Sequence, residues 1–210
     1  MADRVLWGVK SARSIRGHWA LIELGLEYET RAIQTRTPPM EGAEYRAVNP
    51  RGKIPTLIDG DIAITESPAI VMYLADRYST DERRLIPTEA KARAFYFEWM
   101  SFIAMELDAT SLYVLRRHEG LPEIYGHAPE ANAAARAYFD RMITAAALRM
   151  EDGRPYLLGD TFYGPDILMM TILNWAKRYK CPYPDIFADY QARIAERPQY
   201  VAAEAANNPE

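Results

Sequence analysis

The stretch NPRGKIPTLIDGDIAITESPAIVMYLADRY, from Asn49 to Tyr78, decides the architecture. Two short apolar runs, Pro55 to Ile58 and Ile62 to Ile64, flank Asp59-Gly60-Asp61. Asp-Gly between apolar runs is a hairpin signal, because glycine accepts the positive φ that a tight turn demands. A turn this short joins only antiparallel strands. Ser67 to Tyr78 then reads as a helix, with Ser67 at the N-cap and Pro68 in the first helical position, where the missing N–H costs nothing. Pro55 opens its strand directly after a loop, where an absent ladder donor is tolerated. The Ile54-Pro55 bond has two readings. It is either an edge-strand proline or a cis bond that leaves the N–H and C=O of Ile54 open to a peptide-like ligand.

Working outward toward the N-terminus, Val5-Leu6-Trp7 reads as a buried strand. Ser11 to Leu26 reads as a helix with Ile15, Trp19, Ile22 and Leu26 on one face, and Gly25 falls near its end. Tyr28 to Ile33 alternates like a strand, Thr35 to Gly42 is a loop through Pro38-Pro39, and Ala43 to Val48 fits a short helix. The predicted order is βαβαββα around a mixed four-stranded sheet. Beyond Tyr78 the strand signal stops. A polar linker leads to helical patterns at Glu89 to Arg117, Asn132 to Met150, Pro165 to Tyr179, Pro184 to Glu196 and Gln199 to Ala206. Residues 1–79 are therefore expected to form an α/β domain and 88–210 an all-helical one.

Composition narrows the function. The chain has 210 residues with a net charge of −4, and its first 78 residues are charge-balanced. A general nucleic-acid binder is excluded on that balance. One cysteine, Cys181, rules out an internal disulfide framework and any paired-cysteine metal or redox site. No apolar run approaches the roughly 18 residues that cross a bilayer, and charges at Asp3, Arg4 and Lys10 interrupt any signal-peptide core. The expectation is a cytoplasmic protein with no membrane or nucleic-acid partner. One local excess stands out: Arg4, Lys10, Arg13 and Arg16 occur with no acid among them, either as a solvated face or as a small anion site.

Reactive motifs are scarce. His18, His118 and His127 lack metal-ligand spacing, and no phosphate loop or nucleophile elbow is present, so no metal is expected. Any reactive group would be carried by a cosubstrate. Two helix starts are candidates for holding an anion, at Ser11 after the first strand and at Ser67 after the hairpin, since free N–H groups and a partial positive charge meet there. The plain alternative is that each serine only caps its helix.

Taken together, Ser11-Ala12-Arg13-Ser14 leading into Ala20 to Leu26, the segment NPRGKIPTL, the segment ITESPAIVMYLADRY, LLGDTFYGPDILM (Leu157 to Met169) and Arg197-Pro198 resemble the glutathione transferase family nearly end to end. The resemblance implies a thioredoxin-like N-terminal domain, a helical C-terminal domain, glutathione as cosubstrate, a role in detoxification and a homodimer formed through the Ser67 and Glu89 helices. It implies that Glu66 and Ser67 bind the γ-glutamyl end, that Ile54 before Pro55 pairs its backbone with the cysteinyl part, and that Lys53 meets the glycyl carboxylate. Arg13 and its basic neighbours would favour a net-anionic tripeptide.

Family members activate the thiol with a Tyr, Ser or Cys near the end of the first strand. The first Tyr here is Tyr28 and the sole Cys is Cys181, so the chain resembles the serine type, bacterial-like or phi-, theta- or zeta-like. Ser11 matches that position and Ser14 is its rival. Three departures from the pattern stand out. Pro38-Pro39-Met40-Glu41 replaces a basic or polar loop, leaving Lys53 and Arg36 for the glycyl end. Tyr163 stands three before Asp166 where a Ser or Thr cap is usual, and Asp166 is expected to satisfy first-turn N–H groups. Gly17-His18 falls where the family tends to be apolar, with His18 expected on the surface or in packing. For a small-molecule electrophile, Met105, Tyr113, Arg116 and Arg117 on the long helix are candidates, expected to line a cleft between the domains; core packing and complementing the helix dipole are their plain readings. Rival functions on this fold are glutathione-dependent isomerisation, peroxide reduction and non-catalytic ligand binding.

Overall fold

A computed structural model describes residues 3–210, and by contact the chain divides into two compact units. The first comprises residues up to Ile86 together with Ala195–Glu210, and the second is Pro87–Ile194. The sequence division at 79 and 88 follows texture alone, whereas contacts group the last sixteen residues with the first unit.

The first unit is built on β1 (Arg4–Trp7), β2 (Glu29–Arg31), β3 (Thr56–Asp59) and β4 (Ile62–Thr65), in the order β2-β1-β3-β4. β1 runs parallel to β2, while β1–β3 and β3–β4 are antiparallel, which is the mixed sheet the hairpin required. Gly60 turns the hairpin with φ +61°. Alternation sorts the two faces. Leu6 and Leu57 point one way, fully buried, with Leu6 against Gly17 of α1 (Ser14–Glu23). Trp7 points the other way and packs with Ile33, Met40, Tyr45 and Ile54. Two short helices, α2 (Pro38–Glu41) and α3 (Ala43–Val48), carry Met40 and Tyr45 into that second cluster. The loop expected at 35–42 thus contains a helical turn, opened by the two prolines whose fixed φ suits a first turn.

α4 (Ser67–Tyr78) packs against α1, and so does the last helix of the chain, α11 (Pro198–Asn207). Trp19 of α1, fully buried, meets the Tyr200 ring at 4.9 Å between centroids. Glu23 receives Arg197 at 2.9 Å, and the Lys10 N–H donates to the Asn207 carbonyl at 2.7 Å.

The second unit is helical. α5 (Ala90–Phe102) is capped by Glu89, whose carboxylate accepts the N–H groups of Lys91 and Ala92 at 2.9 and 2.8 Å. The long helix expected from Glu89 to Arg117 is continuous but not uniform. Ile103–Leu112 is wound as a π-helix before α6 (Tyr113–His118) resumes α geometry. α7 (Pro122–Tyr125), α8 (Pro129–Leu148), α9 (Gly164–Arg178) and α10 (Asp185–Ala195) complete it. α9 is buried along most of its length, and Asp166 anchors its start. Asp166 accepts the N–H of Tyr163 at 2.8 Å, of Leu157 at 3.0 Å and the Tyr190 hydroxyl at 2.8 Å. Its carboxylate therefore serves the cap residue and the preceding loop. No helix among the described residues is long and apolar enough to cross a membrane.

Candidate functional site

In the first unit, strand register gathers the sequence candidates at one end of the sheet. Trp7 and Thr65 both pair with Thr56, so the residues after β1, before β3 and after β4 share that end. Gly8 shows how close they are. It has φ +121°, and a Cβ on it would fall 2.7 Å from the Ile54 Cβ and 2.8 Å from the Ser14 Oγ. Only glycine lets the end of β1 meet both the start of α1 and the loop before β3.

Ser11 and Ser14 fall into different roles. The Ser11 Oγ accepts the N–H groups of Arg13 and Ser14 at 3.2 and 3.4 Å, and its carbonyl accepts that of Ile15 at 3.2 Å. Ser11 therefore holds the turn that leads into α1, two residues before its cap Arg13, yet accepting leaves its hydroxyl hydrogen to donate, and it is half-buried. Bonding the helix start and binding an anion, set as alternatives by the sequence, are compatible here. Ser14 is fully buried, and its Oγ has no hydrogen-bond partner among the described residues. Arg13 stands half-buried at the cap position of α1.

The loop before β3 is braced from beneath. Asn49 Nδ2 and the Tyr45 hydroxyl both donate to the Lys53 carbonyl, Asn49 Nδ2 also donates to Thr56 Oγ1, and Thr56 Oγ1 lies 2.9 Å from the Tyr45 hydroxyl. Burial pushes the Tyr45 hydroxyl above its ordinary pKa, which keeps it a donor. The Ile54–Pro55 bond is cis. Ile54 makes no backbone hydrogen bond among the described residues, and the Lys53 side chain is exposed. The acid in the loop that departs from the family pattern, Glu41, is paired with Arg46.

At the start of α4, Glu66 and not Ser67 is the cap: its carbonyl accepts the Ile70 N–H at 3.0 Å. Ser67 is the first helical residue and Pro68 the second, one place later than the sequence suggested. Glu66 has φ +68° and ψ 111°, a conformation costing a non-glycine residue about 1–3 kcal/mol. Its exposed carboxylate lies 3.3 Å from Arg51, which also bonds Thr65. Ser67 is buried and accepts from Arg16.

The basic run from Arg4 to Arg16 is not one patch. Arg4 pairs with Asp59 at 3.5 Å and covers the Tyr78 ring, Lys10 is exposed, and Arg16 is buried at Ser67. His18 is wholly buried, bonded to Tyr28 and to the Gly8 carbonyl. The bracing by His18, Arg16, Arg51, Tyr45 and Asn49 has no signature in the sequence, since a single residue carries no mark of a partner far away along the chain. The misplaced polarity of Gly17-His18 was the one available signal.

The remaining candidates belong to the second unit. Met105, on the π-helical segment, is 60% exposed, which removes the core reading for it. Tyr113 stacks with Trp175 at 6.4 Å and 3°. The Arg117 guanidinium lies over Tyr113 and Tyr125, and Arg116 over Tyr113.

Comparison with known proteins bears on this geometry. Residues 11–77 match the family model for the glutathione S-transferase N-terminal domain. Glutathione S-transferase GstA of Escherichia coli O157:H7 is 28% identical over 194 residues, 90% of each chain. Glutathione S-transferase Z1 of Arabidopsis thaliana is 27% identical over 89% of this chain and 83% of its own. Among solved structures, the theta class glutathione S-transferase of Xanthomonas axonopodis pv. citri, with glutathione bound, superposes with a TM-score of 0.79 at 26% identity over 97% of both chains. The chain thus matches the glutathione S-transferase N-terminal domain at residues 11–77 and is similar to glutathione S-transferases along nearly its whole length.

Proposed function

We propose that this chain binds reduced glutathione on its first unit, holds the thiol as thiolate with the Ser11 hydroxyl and transfers it to an electrophilic small molecule. One observation carries the reading: a hydroxyl with its hydrogen to give, an unpaired backbone at Ile54 and the start of α4 share one end of the sheet. Each suits one part of the tripeptide. The γ-glutamyl carboxylate goes to Ser67 and the first-turn N–H groups, its ammonium to Glu66. The cysteinyl amide pairs with Ile54, held by Pro55, and the glycyl carboxylate lies toward Lys53, with Arg13 adding positive field.

Ser11 is preferred to Ser14 because it is accessible while Ser14 is fully buried. A hydroxyl donating to sulfur favours thiolate, the nucleophilic form, over a thiol of ordinary pKa about 8.5. A shift of one to two units, about 1.4 kcal/mol each, makes thiolate the main form near neutrality. Met105, Tyr113 and Arg117 remain the proposed contacts for the electrophile. The exposed Phe95 and Phe97 of α5 support the proposed homodimer.

Thiolate ultraviolet absorbance during glutathione titration tests the reading. Wild type and Ser14→Ala should show thiolate at pH 7, whereas Ser11→Ala should bind glutathione within a few-fold and show none. Thiolate retained in Ser11→Ala and lost in Ser14→Ala would transfer the role to Ser14. Absence of binding in wild type would overturn the proposal.

A further inference from the structure

Arg16 is a charged side chain at 2% exposure, and its Nη1 donates to the Ser67 Oγ at 3.2 Å. It stands on α1, and Ser67 opens α4, so the bond joins the two helices that pack on the same face of the sheet. A guanidinium has donors only, so the serine oxygen must be the acceptor. Its own hydrogen is then directed away from Arg16. No acidic residue lies in the first turn of α4, and the Glu66 carboxylate is turned to Arg51, so neither competes for that end of the helix.

We propose that Arg16 is a positioning residue for the γ-glutamyl α-carboxylate. It sets Ser67 as a donor toward the ligand, at a helix N-terminus that itself carries a partial positive charge. Hydrogen bonds with an ionised partner are roughly twice as strong as neutral ones, and a buried setting strengthens them further. This rests on the reading that Ser67 holds that carboxylate. Arg16 never touches the thiol, so its effect belongs to binding and to the carboxylate alone.

The test compares two ligands by calorimetry, both as S-methyl derivatives so that thiol ionisation plays no part. One is glutathione. The other is γ-aminobutyryl-cysteinylglycine, which lacks only the α-carboxylate. Wild type should prefer glutathione by at least tenfold. Arg16→Gln should bring the ratio of the two affinities close to one, as should Ser67→Ala, and the double variant should lower it no further. The ratio reads only folded protein. If Arg16→Gln does not fold, Arg16→Lys, which keeps the charge but loses the planar fork, should lower the ratio by an intermediate amount. A variant that weakens both ligands equally, with the ratio kept, would reduce Arg16 to a packing role and overturn the inference. Equal binding of both ligands by wild type, or an unchanged ratio in Ser67→Ala, would instead remove the reading of Ser67 on which it rests.

Discussion

His18 ties together the segment that carries Ser11. A carbonyl can only accept, so the Nε2 facing the Gly8 oxygen at 3.1 Å bears the ring hydrogen, and Nδ1 accepts from the Tyr28 hydroxyl at 2.9 Å. Burial pushes the Tyr28 hydroxyl up to about 12, which keeps it a donor. Burial also pulls the imidazole below its ordinary pKa, against a smaller opposing effect of the Gly8 carbonyl. The unfolded chain therefore takes up a proton near pH 6.5 that the folded chain still refuses. His18 costs no stability above that pH, and stability is lost progressively as pH falls below it. Urea midpoints between pH 7.5 and 5.5 should fall more steeply for wild type than for His18→Gln, which keeps a donor for Gly8 but does not titrate. Equal slopes would show that His18 takes no part in the acid response.

At the scale of elements, what was legible followed from local chemistry. Asp59-Gly60 marked the hairpin and Ser67-Pro68 marked α4 to within one residue, because both signals are stated by neighbouring atoms. Periodicity marks α1, although the helical pattern from Ser11 to Leu26 runs three residues past it at each end. The π-helical winding of Ile103–Leu112 was not legible, since the same apolar spacing serves either winding and packing decides between them. Within the site, the segments meeting at one end of the sheet were readable from the family pattern. The burial of Ser14 and Arg16 was not, because neither residue type is ordinarily hidden. Asp166 shows the same contrast: its place at a helix start was plain, its partners were not. Replacing it with Ala strands the Tyr190 hydroxyl and two N–H groups, at about 1–3 kcal/mol for each group left buried and unpaired. Asp166→Ala should lower unfolding stability by at least about 3 kcal/mol in chemical denaturation, and Tyr190→Phe by about 1. A loss under 1 kcal/mol for Asp166→Ala would mean water replaces the carboxylate.

For the whole molecule, the feature with the widest reach is the return of the chain's end to its beginning. Arg197 forks onto Glu23, whose side chain is only 9% exposed and also accepts the Trp19 indole N–H at 3.0 Å. Breaking a buried pair by removing one partner costs about 3–5 kcal/mol, and the 24% exposure of Arg197 brings the expected loss nearer 2. Arg197→Ala should therefore destabilise by about 2 kcal/mol, and hydrogen exchange should report it in α1 and α11 before the helical unit. Faster exchange confined to the helical unit would contradict the assignment of α11 to the first unit. Chains are made from the N-terminus at about 5–20 residues per second, and domains generally fold as units. The first unit here is unfinished until its last residues have left the ribosome. The helical unit, enclosed between its two parts, is released complete while Trp19 still lacks Tyr200. During synthesis the order of completion is the reverse of the order of appearance, and a ribosome that stops short yields a finished helical unit and an unclosed first unit.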